Sequence, residues 1–198
     1  MFDVRTFSGA QIAAHLDAVA NLRIAVFRDW PYLYAGDREY EKKYLATYAQ
    51  SPDSLFVLAF DGGQVIGAST GIPLIDEIAA FQRPFLEQQI KLDTVFYFGE
   101  SVLLAEYRGH GLGHRFFDER ERYARNLSRF MLTAFCSVDR EKNDSRRGDG
   151  TRSNDLFWLK RGYRCQHDMK CSLDWQEVGS EEVSAHSLSF WLRPLEPA

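Results

Sequence analysis

Nowhere in its 198 residues does the chain hold a run of eighteen apolar side chains, so no transmembrane helix is expected. The opening residues lack the basic-then-apolar pattern of a signal peptide. Cysteine is sparse. Cys136, Cys165 and Cys171 form no C-x-x-C pair and are odd in number, which points to reduced thiols and a cytoplasmic location. Positive charge is also in deficit: 24 Lys and Arg against 28 Asp and Glu give a net charge of -4. A chain of that balance lacks the basic footprint of a nucleic-acid binder. Neither internal repeats nor a linker interrupt it, so residues 1–198 are read as one domain.

What the chain does have is a 45% hydrophobic fraction, enough for a packed core. Phe2 to Thr6 alternates as a strand, and Ser8 to Gln11 reads as a capping box opening a helix that runs to about Phe27. The stretch from Trp30 to Gly36 breaks that helix. A second is expected from Glu39 to Ala49, with Tyr40, Tyr44 and Tyr48 on one core-facing side. Leu55–Phe60 and Gln64–Ile72 flank Asp61-Gly62-Gly63 as a hairpin. Residues 75–90 look helical, with Pro84 set to kink or divide them. Thr94 to Leu104 reads as one apolar strand, and Phe130 to Val138 as another, buried on both faces. Between them the 109–113 loop starts a helix whose inner face is Leu112, Phe116, Tyr123 and Leu127, with Phe117 beside it. Residues 139–153, charged and almost without apolar groups, are expected to be a long mobile loop. A short helix from Asn154 to Arg161 and two strands around a polar loop at 176–186 complete the order.

The chemistry concentrates at Tyr107-Arg108-Gly109-His110-Gly111-Leu112-Gly113, between a strand and an amphipathic helix. Unpaired amides and a partial positive charge at a helix N-terminus bind phosphate. Glycines permit close approach of the anion, and Arg108 can add a charged hydrogen bond. The spacing is not that of a Walker loop, and His114 stands where the dinucleotide pattern needs its last glycine. The alternative is that three glycines serve only a tight strand-to-helix turn. His110 and His114 have no third partner and no H-e-x-x-H pattern, so no metal site is expected.

Arg108-x-x-Gly111-x-Gly113 resembles the [QR]-x-x-G-x-[GA] signature of the GNAT superfamily of N-acetyltransferases. The element order is similar to that superfamily's, and Phe157-Trp158-Leu159-Lys160-Arg161-Gly162-Tyr163 looks like its later F-Y-x-x-x-G-F stretch. The ending from Phe190 to Leu195 resembles a bacterial subgroup of unassigned substrate. The resemblance implies an α/β (α+β) fold. Its sheet would be mixed, mostly antiparallel and twisted, of about seven strands with a central parallel pair, flanked by helices. It implies acetyl-CoA as co-substrate. The pantetheine arm would lie on the backbone of Val102 and Leu103, the pyrophosphate on Arg108 and on Gly109, His110, Gly111, Leu112 and Gly113, and Asn154 would flank the coenzyme. Trp158 occupies the position where relatives carry a tyrosine that protonates the departing thiol.

Acyl transfer to an amine needs a base, and Glu100 lies in an otherwise apolar strand near the expected thioester position. It is either that base or a structural carboxylate bonded to an arginine or to backbone. Trp30, Tyr32 and Tyr34, with Asp29 and Asp37 beside them, are the candidate acceptor wall, suited to a cationic amine. The expected function is acetyl-CoA-dependent N-acetyl transfer to a small-molecule or peptide amine by direct attack in a ternary complex. The competing reading is a catalytically silent acyl-CoA-binding module. A homodimer is compatible with the sequence; nucleic acid, membrane and metal are not expected partners.

Overall fold

The computed structural model describes residues 2–141, 143–148 and 153–196. The described residues form an eight-stranded mixed sheet with helices on both faces. Strand β1 (Asp3–Ser8) pairs antiparallel with β2 (Leu55–Asp61), which pairs antiparallel with β3 (Gln64–Pro73). The β2–β3 turn is Gly62-Gly63, with φ of 54° and 89°. Two positive φ values in a two-residue loop match the right-handed twist of the strands, and glycine supplies them without a Cβ penalty.

After β1 the chain runs through a 3-10 segment, Gly9–His15, into α1 (Leu16–Phe27). The Gln11 side chain accepts from the Ser8 amide at 3.2 Å, as a capping box requires. Helix α2 (Arg38–Gln50) is capped by Asp37, whose carboxylate accepts from the Glu39 and Tyr40 amides. The apolar segment at 75–90 is divided, but not at Pro84: a 3-10 turn at Leu74–Asp76 precedes α3 (Ala79–Glu87), and Pro84 lies inside that helix. The division falls at Glu77, because Gln82 Nε2 ties the carbonyls of Leu74, Ile75 and Glu77 into a turn ahead of the helix.

The expected strand from Thr94 to Leu104 is also divided. Strand β4 (Val95–Tyr97) pairs antiparallel with β3 and parallel with β6 (Leu132–Val138). Strand β5 (Ser101–Leu103) pairs with β3 alone. This division raises the strand number from about seven to eight. Helix α4 (Leu112–Asn126) follows, then β6, the short α5 (Asp155–Lys160), and the antiparallel hairpin β7 (Arg164–Gln176) and β8 (Val183–Pro194). The main order is β1-β2-β3-β4-β6-β8-β7, and β4–β6 is the one parallel pair among the described strands. The final strands reach further than the sequence suggests. Ser184, Ala185 and His186 lie within β8, where the hairpin continues with Ser184 and Ala185 exposed and His186 stacked on Trp175.

One apolar layer, with Ile12, Leu45, Tyr48 and Phe85, lies beneath α1, α2 and α3. The other, with Phe98, Phe116, Phe117 and Tyr163, lies beneath α4 and α5. Within residues 139–148, where a mobile loop was expected, Asp139, Arg140 and Arg146 are tethered to other elements. Asp139 accepts from Lys170, Ser187 and Ser189, and Arg140 donates to the carbonyls of Pro31 and Tyr32. Arg140 and Arg146 both pair with Glu177. Ion pairs replace the apolar burial this segment lacks. Lys142 and residues 149–152 of the expected loop lie outside the described residues.

Candidate functional site

A β-bulge builds the centre of the site. Ile72 faces Tyr97 and Ser69 faces Ser101, so a step of three residues on β3 is matched by four on its partner. The extra residue falls at Gly99-Glu100: the Gly99 amide donates to Thr70 O at 3.2 Å, and the Thr70 amide donates to Glu100 O at 3.1 Å. Glycine is required there, since a Cβ would sit 2.0 Å from the Tyr48 hydroxyl and 2.6 Å from Thr70 Oγ1. A bulge bends its strand away from its neighbour. The last bond between this strand and β6 is Phe98 N to Ala134 O at 2.7 Å. Beyond it β5 and β6 part, and the side of β5 turned away from β3 is unpaired.

Antiparallel alternation decides which backbone groups face that gap. Glu100 O and Leu104 N both bond β3, so the residue between them at the same phase, Val102, turns its amide and carbonyl toward Ala68. Leu103 and Ser101 turn theirs away from β3. Arg108 Nε donates to Leu103 O at 3.3 Å. The Val102 side chain is fully buried beneath α1 and α2, whereas Ser101 is exposed.

The gap opens into a cleft of about 1730 Å³. Glu100, Ser101, Leu103, Arg108 and Gly113 line it on one side, and Asn154 and Trp158 on the other. Drug-sized ligands need less than this volume; an extended one fits. At the cleft end Gly111 is the N-cap of α4 with φ 81°, and no side chain caps the helix. Gly109 has φ 83°, and a Cβ added at either glycine would meet nothing within 4 Å. The first-turn amides of a fifteen-residue helix thus face open space, with Arg108 exposed beside them. Leu112 is buried as the helix's first core contact, and Gly113 approaches Phe157. His110 turns aside: a ring nitrogen meets Tyr107 O at 3.2 Å and its ring packs on Phe2. His114 packs instead on Phe157, and among the described residues no group of His, Cys, Asp or Glu could hold a metal.

Glu100 is 5% exposed. Arg23, from α1, donates to its Oε2 and also to Glu41 Oε2 of α2, while Oε1 of each carboxylate is buried without a hydrogen bond. Burial pushes the Glu100 carboxyl above the ordinary carboxylate range, and Arg23 only partly opposes it. Glu100 is thus bonded to an arginine, as a structural carboxylate would be, and it also lines the cleft with a raised affinity for a proton.

A second cavity, about 210 Å³, adjoins Arg23. Its walls are Phe27, Tyr32, Tyr34, Tyr40 and Trp175, with Asp37, Glu41 and Asp174 as acids. Of the expected acceptor wall, Tyr32 and Tyr34 come together here, the Tyr32 ring packing tilted against Phe27 at 4.3 Å. Trp30 lies on the large cleft instead, beneath the Arg140 guanidinium. Tyr40 is 44% exposed on this cavity, unlike Tyr48, which is core. Trp158 packs at 5.0 Å from Phe135 and 5.1 Å from Trp191. Sequence reasoning missed Arg23, Glu41 and Arg120. The available signal was their spacing: each falls on the apolar stripe of its helix, four residues from Val19, Leu45 and Phe116 respectively.

Solved structures share this architecture. A GNAT-family acetyltransferase from Streptococcus pneumoniae superposes with a TM-score of 0.58 at 15% identity, covering 99% of this chain and 100% of that one. Ribosomal-protein-alanine N-acetyltransferase from Brucella melitensis gives 0.62 at 15%, covering 98% and 99%. Arabidopsis thaliana NAA60, in complex with a bisubstrate analogue, gives 0.61 at 11%, covering 98% and 100%. No curated protein sequence matches the chain. The sequence profile of the Acetyltransferase (GNAT) family matches residues 19–146, a span holding the bulge, Glu100 and the glycine loop, and the chain belongs to that family.

Proposed function

We propose that the protein transfers an acetyl group from acetyl-CoA to the nitrogen of an amine by direct attack, with both substrates bound together. The observation that carries this reading is the bulge-opened cleft: it joins a row of unpaired backbone on β5 to the uncapped N-terminus of α4, with Glu100 at the bend. These groups fit acetyl-CoA. Leu103 would meet the pantetheine amides, the amides from Gly109 to Gly113 with Arg108 would hold the pyrophosphate, and Asn154 would flank the arm. The acetyl thioester supplies the activated acyl group.

An ammonium has no lone pair, so the bound amine must lose a proton before it attacks. Glu100 is the acceptor for that proton, and its raised pKa brings it closer to a useful range. The smaller cavity takes the body of the amine. One guanidinium, Arg23, is shared between the carboxyl groups of Glu41 and Glu100, Asp37 and Asp174 stand nearby, and the walls are aromatic. That environment favours a cation. The large cleft and the smaller cavity share Phe27 and Tyr32, so the amine's body and its reacting nitrogen can occupy adjoining spaces.

The test is release of free CoA thiol from acetyl-CoA in the presence of arylalkylamines, polyamines and peptide α-amines. The peptides are included because one solved relative is named for a ribosomal-protein alanine. Amine-dependent thiol release with a matching acetylated product is the expected result. Tight acetyl-CoA binding with no release across the panel would instead establish a silent binding module.

A further inference from the structure

Arg120 is a buried cation with no carboxylate partner among the described residues. It extends from α4 to the bulge and is 1% exposed. Among the described residues it makes no ion pair. Its Nε donates to Phe116 O, Nη1 to Thr70 O and Glu100 O, and Nη2 to Ser101 Oγ at 2.9 Å. The rings of Phe98 and Phe117 cover it at 4.1 and 4.6 Å. Burial lowers its pKa to about 10, so it stays charged near neutral pH. An unpaired buried charge is costly. Capping the two carbonyls at the bulge explains two of its bonds. It does not explain why the charged fork reaches Ser101, a residue exposed on the cleft.

Ser101 is set up as a donor. Its oxygen accepts from Arg120, and the Ser69 hydroxyl lies 3.3 Å away, where either hydroxyl can donate to the other. With Ser69 as the donor of that pair the Ser101 proton is left for the cleft, and a neighbouring cation strengthens the bond it gives. Trp158, where relatives place an acidic hydroxyl, offers only an indole N–H and packs among aromatic rings. We infer that Ser101 hydrogen-bonds the sulfur of the departing CoA, and that Arg120 holds and polarises it for that task. This rests on the acetyltransferase reading. In the step the amine nitrogen bonds the acetyl carbon, and the C–S bond breaks with its electron pair on sulfur. Sulfur accepts the Ser101 hydrogen bond without taking its proton, since an alcohol is too weak an acid to protonate a thiolate. The ammonium's first proton goes to Glu100 before attack, the second leaves the nitrogen to water as the amide forms, and the thiolate later takes a proton from water.

The test reads the thiol without turnover. The thiol of CoA bound to the full-length protein is titrated by its thiolate ultraviolet absorbance, in wild type, Ser101→Ala and Ser101→Thr. Wild type and Ser101→Thr should hold the thiol at a lower pKa than Ser101→Ala by about one unit, a tenfold change in the equilibrium. Identical titrations overturn the inference. With the amine identified, Ser101→Ala should slow acetyl-CoA turnover about tenfold, as for a lost hydrogen bond to a charged group. It should slow an aryl thioester much less, because that thiolate leaves readily on its own. Equal losses on both donors would mark a structural role and also overturn it. Failure of the wild type to acetylate any amine refutes the enzymatic reading, and the titration still decides whether Ser101 and Arg120 stabilise a thiolate.

Discussion

Arg23, Glu41 and Arg120 stand on helix faces whose spacing calls for apolar side chains, and all three are buried at the site. Their helical stripes show in the sequence, but which carboxylate or carbonyl each would meet does not, because the partners come from other elements. Glu100 was recognisable from its apolar strand; its guanidinium partner was not. Glu100→Gln keeps an acceptor for Arg23 and should leave the fold and acetyl-CoA affinity intact while turnover falls about 10²-fold. A base with a raised pKa loses its active form as pH falls through that value. Wild-type kcat/KM should therefore drop on the acid side at a higher pH than an ordinary carboxylate would give, and the variant should lack that limb. A pH-independent wild type would exclude the role. Glu77 makes a separate prediction. Its carboxylate is 5% exposed, accepts from Tyr48 at 2.8 Å and Tyr44 at 3.2 Å, and is pushed by burial to about 7. The folded state therefore binds this proton more tightly than the unfolded chain, and the associated stability is present below the unfolded pKa and is lost as pH rises to about 7. A shift of that size amounts to on the order of 3 kcal/mol. Glu77→Gln should raise Tm over wild type at pH 8 and change it little at pH 4.5; thermal melts at the two values decide.

At the scale of elements, the glycine loop and α4 lie where their sequence places them, because a strand, a turn of small residues and an amphipathic helix are all local signals. Two boundaries were not local. Thr94 to Leu104 reads as one strand because its residues are apolar almost throughout; the bulge at Gly99-Glu100 is set by Tyr48 and Thr70 from other elements. Glu77, not Pro84, ends the 3-10 turn before α3, because Gln82 reaches back across it. The uncapped start of α4 gives a prediction of its own. A Cβ at Gly113 meets only Phe157 Cζ, at 3.9 Å, and the first turn holds no acid. Gly113→Asp should keep or raise thermal stability, since a carboxylate there suits the helix dipole by about 0.3–1 kcal/mol. The same charge would oppose a pyrophosphate, and acetyl-CoA affinity should fall tenfold or more, by more than about 1.4 kcal/mol. Unchanged affinity in calorimetry would remove the phosphate assignment.

Across the whole molecule, Glu177 gathers contacts that no local reading joins. It forms an ion pair with Arg140 at 2.6 Å and accepts from Arg146, while Arg140 also holds the carbonyls of Pro31 and Tyr32. The segment after β6, the break after α1 and the final hairpin are thereby fastened beside the candidate acceptor cavity. Glu177→Gln leaves an acceptor but removes the charge that two arginines share. Limited trypsin digestion after Arg146, which is 47% exposed, should then run several-fold faster than in wild type, as for a segment whose local opening has become easier. Equal digestion rates would mean that the tether contributes nothing to the order of this segment.

What the sequence determined by itself is what neighbours along the chain can enforce: the Gly62-Gly63 turn, the amphipathic helices, the glycine loop at the start of α4, and the apolar strand that carries Glu100. Each depends on periodicity or on backbone freedom within a few residues. Only the tertiary structure decided the rest. Parting β5 from β6 needed a bulge pinned by Tyr48, Thr70 and Arg120, and the shared Arg23 needed Glu41 and Glu100, 59 residues apart, on either side of it. A buried charge takes its meaning from its partners, and those partners are assembled by packing, not by sequence spacing.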